Sequence, residues 1–75
     1  MKLEWLDGFK LSAFSEDNEI VIKGNKEALL SLARQLETLA LEEDGSHIHY
    51  DKYNSLEEGS IDVIIEKGEW DGNIR

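Results

Sequence analysis

Glu19-Ile20-Val21-Ile22-Lys23-Gly24-Asn25-Lys26-Glu27-Ala28-Leu29-Leu30-Ser31-Leu32-Ala33-Arg34-Gln35-Leu36 changes its hydrophobic period in mid-course, and that change decides the fold. Up to Lys23 the run is short and rich in β-branched side chains, which suits a strand. From Lys26 onward Leu29, Leu32, Leu36 and Leu39 recur at three and four residues, with Ala33 and Ala40 widening the stripe, as in a helix with one apolar face. Gly24-Asn25 separates the two patterns, and the Asn25 side chain can accept from an unpaired amide of the first helical turn. Leu30 and Leu41 fall beside the stripe and are expected to be partly exposed. A strand that hands over to an amphipathic helix predicts a helix covering a sheet.

Upstream of this stretch, Phe9 to Phe14 alternates in polarity and Glu16-Asp17-Asn18 supplies turn residues, so Phe9–Phe14 and Glu19–Lys23 read as a hairpin. Leu3 and Trp5 also alternate with polar neighbours before Asp7-Gly8, a pair that favours a tight turn, and suggest an opening strand. Downstream, Glu42, Glu43 and Asp44 crowd the negative end of the helix, where acids oppose its dipole. His47 to Tyr50 and Ser60 to Glu66 read as two further strands, with Ile61, Val63 and Ile65 toward the helix and Asp62, Ile64 and Glu66 outward. The expected fold is α+β: a curled antiparallel sheet of four or five strands with a single helix on one face, in the order β-β-β-α-β-β.

At 75 residues, with no cysteine, no proline and no internal repeat, the chain reads as one small domain spanning 1–75 without a disulfide framework. No apolar stretch approaches the roughly 20 residues of a membrane span, and the amino terminus lacks signal-peptide features. These features suggest a soluble, cytoplasmic protein. Seventeen acidic against eight basic residues give a net charge of −9, which disfavours nucleic acid and anionic membranes as partners. The imbalance is uneven, −2 over residues 1 to 41 and −7 over residues 42 to 75. An acidic second half steers a cationic partner.

The polar groups that could meet a partner converge on the Gly45 to Ser60 region. On an extended strand His47, His49 and Asp51 share one side while Ile48 and Tyr50 share the other. The connector Asp51 to Gly59 is long for a hairpin, and long loops often carry binding. It holds Tyr53, an amphipathic contact residue, and the acidic pair Glu57-Glu58. With Asp62, the candidate partner-binding set is His47, His49, Asp51, Tyr53, Glu57, Glu58 and Asp62. Two other chemistries compete. His47 and His49 could bring two imidazoles to a metal with Asp51 as a third ligand, although alternating histidines are also ordinary on a half-exposed strand. The carboxylates Glu57, Glu58, Asp62 and Glu66 could serve as acid and base only within a defined cleft, for which so small a fold offers little room. The sequence therefore predicts neither catalysis nor a cofactor. A self-associating subunit whose uncovered sheet pairs with its copy remains a third option, and a homodimer is open.

Gly24-Asn25-Lys26-Glu27-Ala28-Leu29, the helix ending Leu39-Ala40-Leu41, Gly45-Ser46-His47-Ile48-His49, and Leu56-Glu57-Glu58-Gly59-Ser60 leading into Val63-Ile64-Ile65-Glu66 resemble the immunity protein 32 family. That family comprises small bacterial immunity proteins of polymorphic toxin systems. The resemblance spans roughly residues 9 to 67. It implies a cytoplasmic α+β protein that binds and neutralises a cognate toxin made by the same or a neighbouring cell. An acidic inhibitor suits the basic surface that a nucleic-acid-cleaving toxin needs for its substrate.

Overall fold

The computed structural model describes residues 2–70. Five elements follow in order: β1 (Leu11–Glu16), β2 (Glu19–Gly24), α1 (Lys26–Ala40), β3 (His47–Tyr50) and β4 (Val63–Glu66). β1 and β2 form an antiparallel hairpin that pairs Leu11 with Gly24 through to Glu16 with Glu19. Its turn is Asp17-Asn18, with φ of 49° and 65°. Two successive left-handed residues match the twist of the flanking strands, and short polar side chains tolerate that region.

α1 begins where the sequence placed it. The Asn25 side-chain oxygen Oδ1 accepts from the Ala28 amide at 2.9 Å, an N-cap that contributes about 1 kcal/mol. Asn25 also ties down the preceding chain: its amide group donates to the Gly8 carbonyl at 2.9 Å, and its oxygen also accepts from the Lys10 amide at 3.1 Å. The buried side of α1 is Ala28, Ser31, Gln35 and Leu39, with Leu32 and Leu36 half-buried beside them. The expected stripe is thus rotated, leaving Leu29 49% exposed and Ala33 and Ala40 on the surface.

Two buried polar residues cause that rotation. Ser31 Oγ accepts from the Leu6 amide at 2.9 Å and donates to the Glu27 carbonyl at 2.7 Å. Gln35 Nε2 donates to the Glu4 carbonyl at 2.9 Å, and its Oε1 accepts from the Tyr50 hydroxyl at 2.8 Å. Backbone groups of residues 4–8 are therefore met by helix side chains and by Asn25, so the expected opening strand is not formed. Residues 2–10 instead lie as an irregular strap, whose Trp5 stacks on Phe9 at 4.3 Å and meets Tyr50 edge-on at 6.1 Å.

The expected single curled sheet is also corrected. The structure contains two separate two-stranded antiparallel sheets, β1-β2 and β3-β4. The outer edge of β1 is occupied by the approach to β4 and not by a strand: Glu57 N–H donates to the Leu11 carbonyl at 2.8 Å and Ile61 N–H to the Ala13 carbonyl at 2.9 Å, while Ser60 Oγ accepts from the Ala13 amide at 3.1 Å. Ser60 and Ile61 are thereby taken out of β4, which begins only at Val63, and Ile61 is left 40% exposed. Leu11, Ala13, Ala28, Leu39, Ile48, Tyr50 and Leu56 make one core between α1 and the two hairpins.

The acids after α1 are offset from a distance. Lys67, just past β4, donates its ammonium to the Ala40 carbonyl at 2.9 Å and the Glu42 carbonyl at 3.3 Å. A cation at the helix C-terminus supplies what the last turn itself lacks.

Candidate docking surface

β3 alternates cleanly. Ile48 and Tyr50 are buried, and His47 and His49 are exposed on the outward face. Across the ladder His47 lies opposite Glu66 and His49 opposite Ile64. His49 Nε2 is 3.5 Å from the Asp62 carboxylate in an exposed pair, and His47 Nδ1 lies 3.4 Å from the Gly45 carbonyl. Ile64, 61% exposed, sets an apolar side chain among these polar ones. Strand alternation placed Ile64 outward, although it was not among the candidate residues.

Asp51 behaves differently from its two neighbours on that face. Its carboxylate accepts from the Tyr53 and Asn54 amides at 2.9 and 3.0 Å, and its carbonyl accepts from the Ser55 and Leu56 amides at 3.0 and 2.8 Å. Asn54 closes the turn by donating to the His49 carbonyl at 2.8 Å and accepting from the Asp51 amide at 3.1 Å. Asp51 is therefore the organiser of the loop, a local side-chain-to-backbone arrangement in the manner of an Asx turn. Both amide bonds fall on one carboxylate oxygen, Oδ1. Among the described residues no group of three His, Asp or Glu side chains is placed to hold a metal ion.

The loop is pinned at its far end by Ser55 and Leu56, both buried, and by the Glu57 amide on β1. Between these anchors Tyr53 stands 87% exposed, with the Lys52 ammonium 5.3 Å from its ring centre. Glu57 lies 3.9 Å from Lys10 and Glu58 3.9 Å from Lys52, exposed pairs of the kind that add little stability. Lys52 was missed by the sequence reading, although its place beside Tyr53 was the available signal. The structure thus gathers His47, His49 and Asp62 on the β3-β4 face and presents Tyr53, Glu57 and Glu58 from the connecting loop. An open groove lies elsewhere, between the strap and α1, lined among others by Lys2, Glu4, Arg34 and Thr38. No helix among the described residues is long and apolar enough to cross a membrane.

What these features define is a small α+β fold that presents polar and aromatic side chains from one hairpin and a hydrogen-bonded loop. The profile of the immunity protein 32 family matches residues 19–68, two thirds of the chain, and the chain belongs to that family. The matched stretch contains β2, α1, β3, β4 and all seven candidate residues, while the strap and β1 precede it. No curated protein matches the chain, and no solved structure does.

Proposed function

We propose that the chain is a non-enzymatic, cytoplasmic immunity protein that binds and neutralises a cognate bacterial protein toxin. The docking surface is the outward face of β3-β4, with His47, His49, Ile64 and Asp62, continued onto the loop by Tyr53, Glu57 and Glu58. Asp51 contributes by holding the loop's shape. The observation that carries this reading is membership of an immunity-protein family over the stretch that includes all these side chains. Support comes from the geometry: an anchored loop loses little conformational freedom on binding, so more of its contact energy is realised as affinity. The net charge of −9 favours a toxin with a basic surface and disfavours nucleic acid.

Reversing Glu57 and Glu58 to lysine tests this directly. Measured by rapid mixing against the cognate toxin, the double variant is expected to associate about tenfold more slowly at low salt, with a nearly unchanged off-rate. Added salt is expected to slow the original protein and to narrow the difference. Association indifferent to both the reversal and the salt would rule out the electrostatic part of the proposal.

A further inference from the structure

β2 is an uncapped edge in a protein that caps its neighbour. The outer edge of β1 is taken up by the Glu57 and Ile61 amides and by Ser60, whereas among the described residues no group bonds to the outer edge of β2. The bonds on β1 fix which β2 groups face that edge. The amide and carbonyl of Ala13 point away from β2, so Ser12, Phe14 and Glu16 exchange the hairpin's hydrogen bonds with Lys23, Val21 and Glu19. Ile20 and Ile22 therefore aim their N–H and C=O groups outward. Their side chains are 63% and 40% exposed. A six-residue edge without proline, bulge or inward-pointing charge is a template for another strand.

The sequence of this edge complements itself. When Glu19-Ile20-Val21-Ile22-Lys23 is laid antiparallel on a second copy with Val21 opposite Val21, Glu19 meets Lys23 at both ends and Ile20 meets Ile22 twice. In this register Ile20 and Ile22, the residues with outward backbone groups, form the hydrogen-bonded pairs. Shifting by two residues in either direction loses both Ile-Ile pairs of unlike number and both Glu19-Lys23 pairs. Neither Glu19 nor Lys23 has an ionic partner among the described residues. Within the hairpin Glu19 also sits directly opposite Glu16, a like-charge pair that a lysine from the other copy would neutralise.

The geometry points to β2 as a homodimer edge: two copies pair their β2 strands antiparallel about a twofold axis at Val21, joining two hairpins into one four-stranded sheet. The interface is isologous and closed, so it gives dimers and not fibres. It lies on a different strand pair from the proposed toxin surface and stands or falls without it.

Sedimentation equilibrium of the full chain from micromolar to millimolar concentration, at moderate salt so that the −9 charges are screened, is expected to show a monomer-dimer equilibrium. Glu19→Lys and Lys23→Glu, each placing like charges opposite one another across the interface, are expected to weaken the dimer roughly tenfold or more, while each variant still unfolds cooperatively at concentrations where the chain is monomeric. Mixing the two variants restores both charge pairs and is expected to regenerate a dimer of one copy of each. As a readout independent of any variant, the Ile20 and Ile22 amides of the original chain are expected to gain hydrogen-exchange protection as concentration rises. A chain that stays monomeric at millimolar concentration overturns the inference. So does a dimer that neither reversal weakens, a variant mixture that fails to associate, or exchange at Ile20 and Ile22 that ignores concentration.

Discussion

Leu56→Ala is expected to lower the unfolding free energy by about 3 kcal/mol, the midrange for truncating a buried leucine. Leu56 is 5% exposed and belongs to the core shared by α1 and the two hairpins, although it comes from a loop. The loss is a large share of the total, because a domain of this size has only about 4 to 11 kcal/mol in all. At about 4–8 °C per kcal/mol, the melting temperature is expected to fall by more than about 10 °C. The effect is also local. Glu57 follows Leu56 and donates its amide to β1, so unmooring Leu56 releases the loop carrying Tyr53, Glu57 and Glu58. Faster hydrogen exchange at the Glu57 and Ile61 amides, beyond what global destabilisation explains, would show this. An exposed-residue effect, within about 0.5 kcal/mol, would mean that Leu56 is not a core residue.

Gln35→Ala is expected to cost about 1–3 kcal/mol, because it leaves the buried Tyr50 hydroxyl without its partner and removes the bond to the Glu4 carbonyl. Gln35 is 5% exposed and joins the Tyr50 hydroxyl on β3 to the Glu4 carbonyl on the strap. Its removal disconnects the strap from the core, and Trp5 fluorescence is expected to report the change because Trp5 packs against Phe9 and Tyr50. A double-mutant cycle with Tyr50→Phe should return a coupling of about 1 kcal/mol, whereas additive effects would refute the link. Tyr50 adds a pH signature. Burial pushes its hydroxyl pKa up from 10.0 to about 12. Between these values the unfolded chain releases a proton that the folded chain retains, so this contribution to stability is complete below about pH 10 and disappears toward pH 12. Across that window Tyr50→Phe should lose less stability than the original chain, as followed by denaturant unfolding.

Local pattern carried much of the fold. The helix start at Asn25, the Asp17-Asn18 turn and the outward placement of His47 and His49 follow from residue type and spacing within a few positions. The failures are non-local. The alternation of Leu3 and Trp5 suggested a strand, yet Ser31 and Gln35, four apart on the helix, capture that segment's backbone. Polarity alone does not put these two residues inside; the segment they bind does. The division into two sheets likewise depends on where Ser60 and Ile61 spend their hydrogen bonds, which no periodicity encodes. Asp51 was legible in part: Asp51-Lys52-Tyr53-Asn54 has a turn's composition, but strand alternation suggested an outward carboxylate. The acids after α1 looked unopposed because their cation, Lys67, lies 25 residues beyond Glu42.

Backbone amide chemical-shift mapping of the isotopically labelled chain, titrated with an inactivated form of the proposed cognate toxin, is the most direct test of the docking surface. Saturable shifts and broadening centred on His47, His49, Tyr53, Glu57, Glu58, Asp62 and Ile64 are expected, with α1 little affected. Absence of binding, or a footprint confined to the strap and α1 that leaves the β3-β4 face and its loop unchanged, would contradict the proposal.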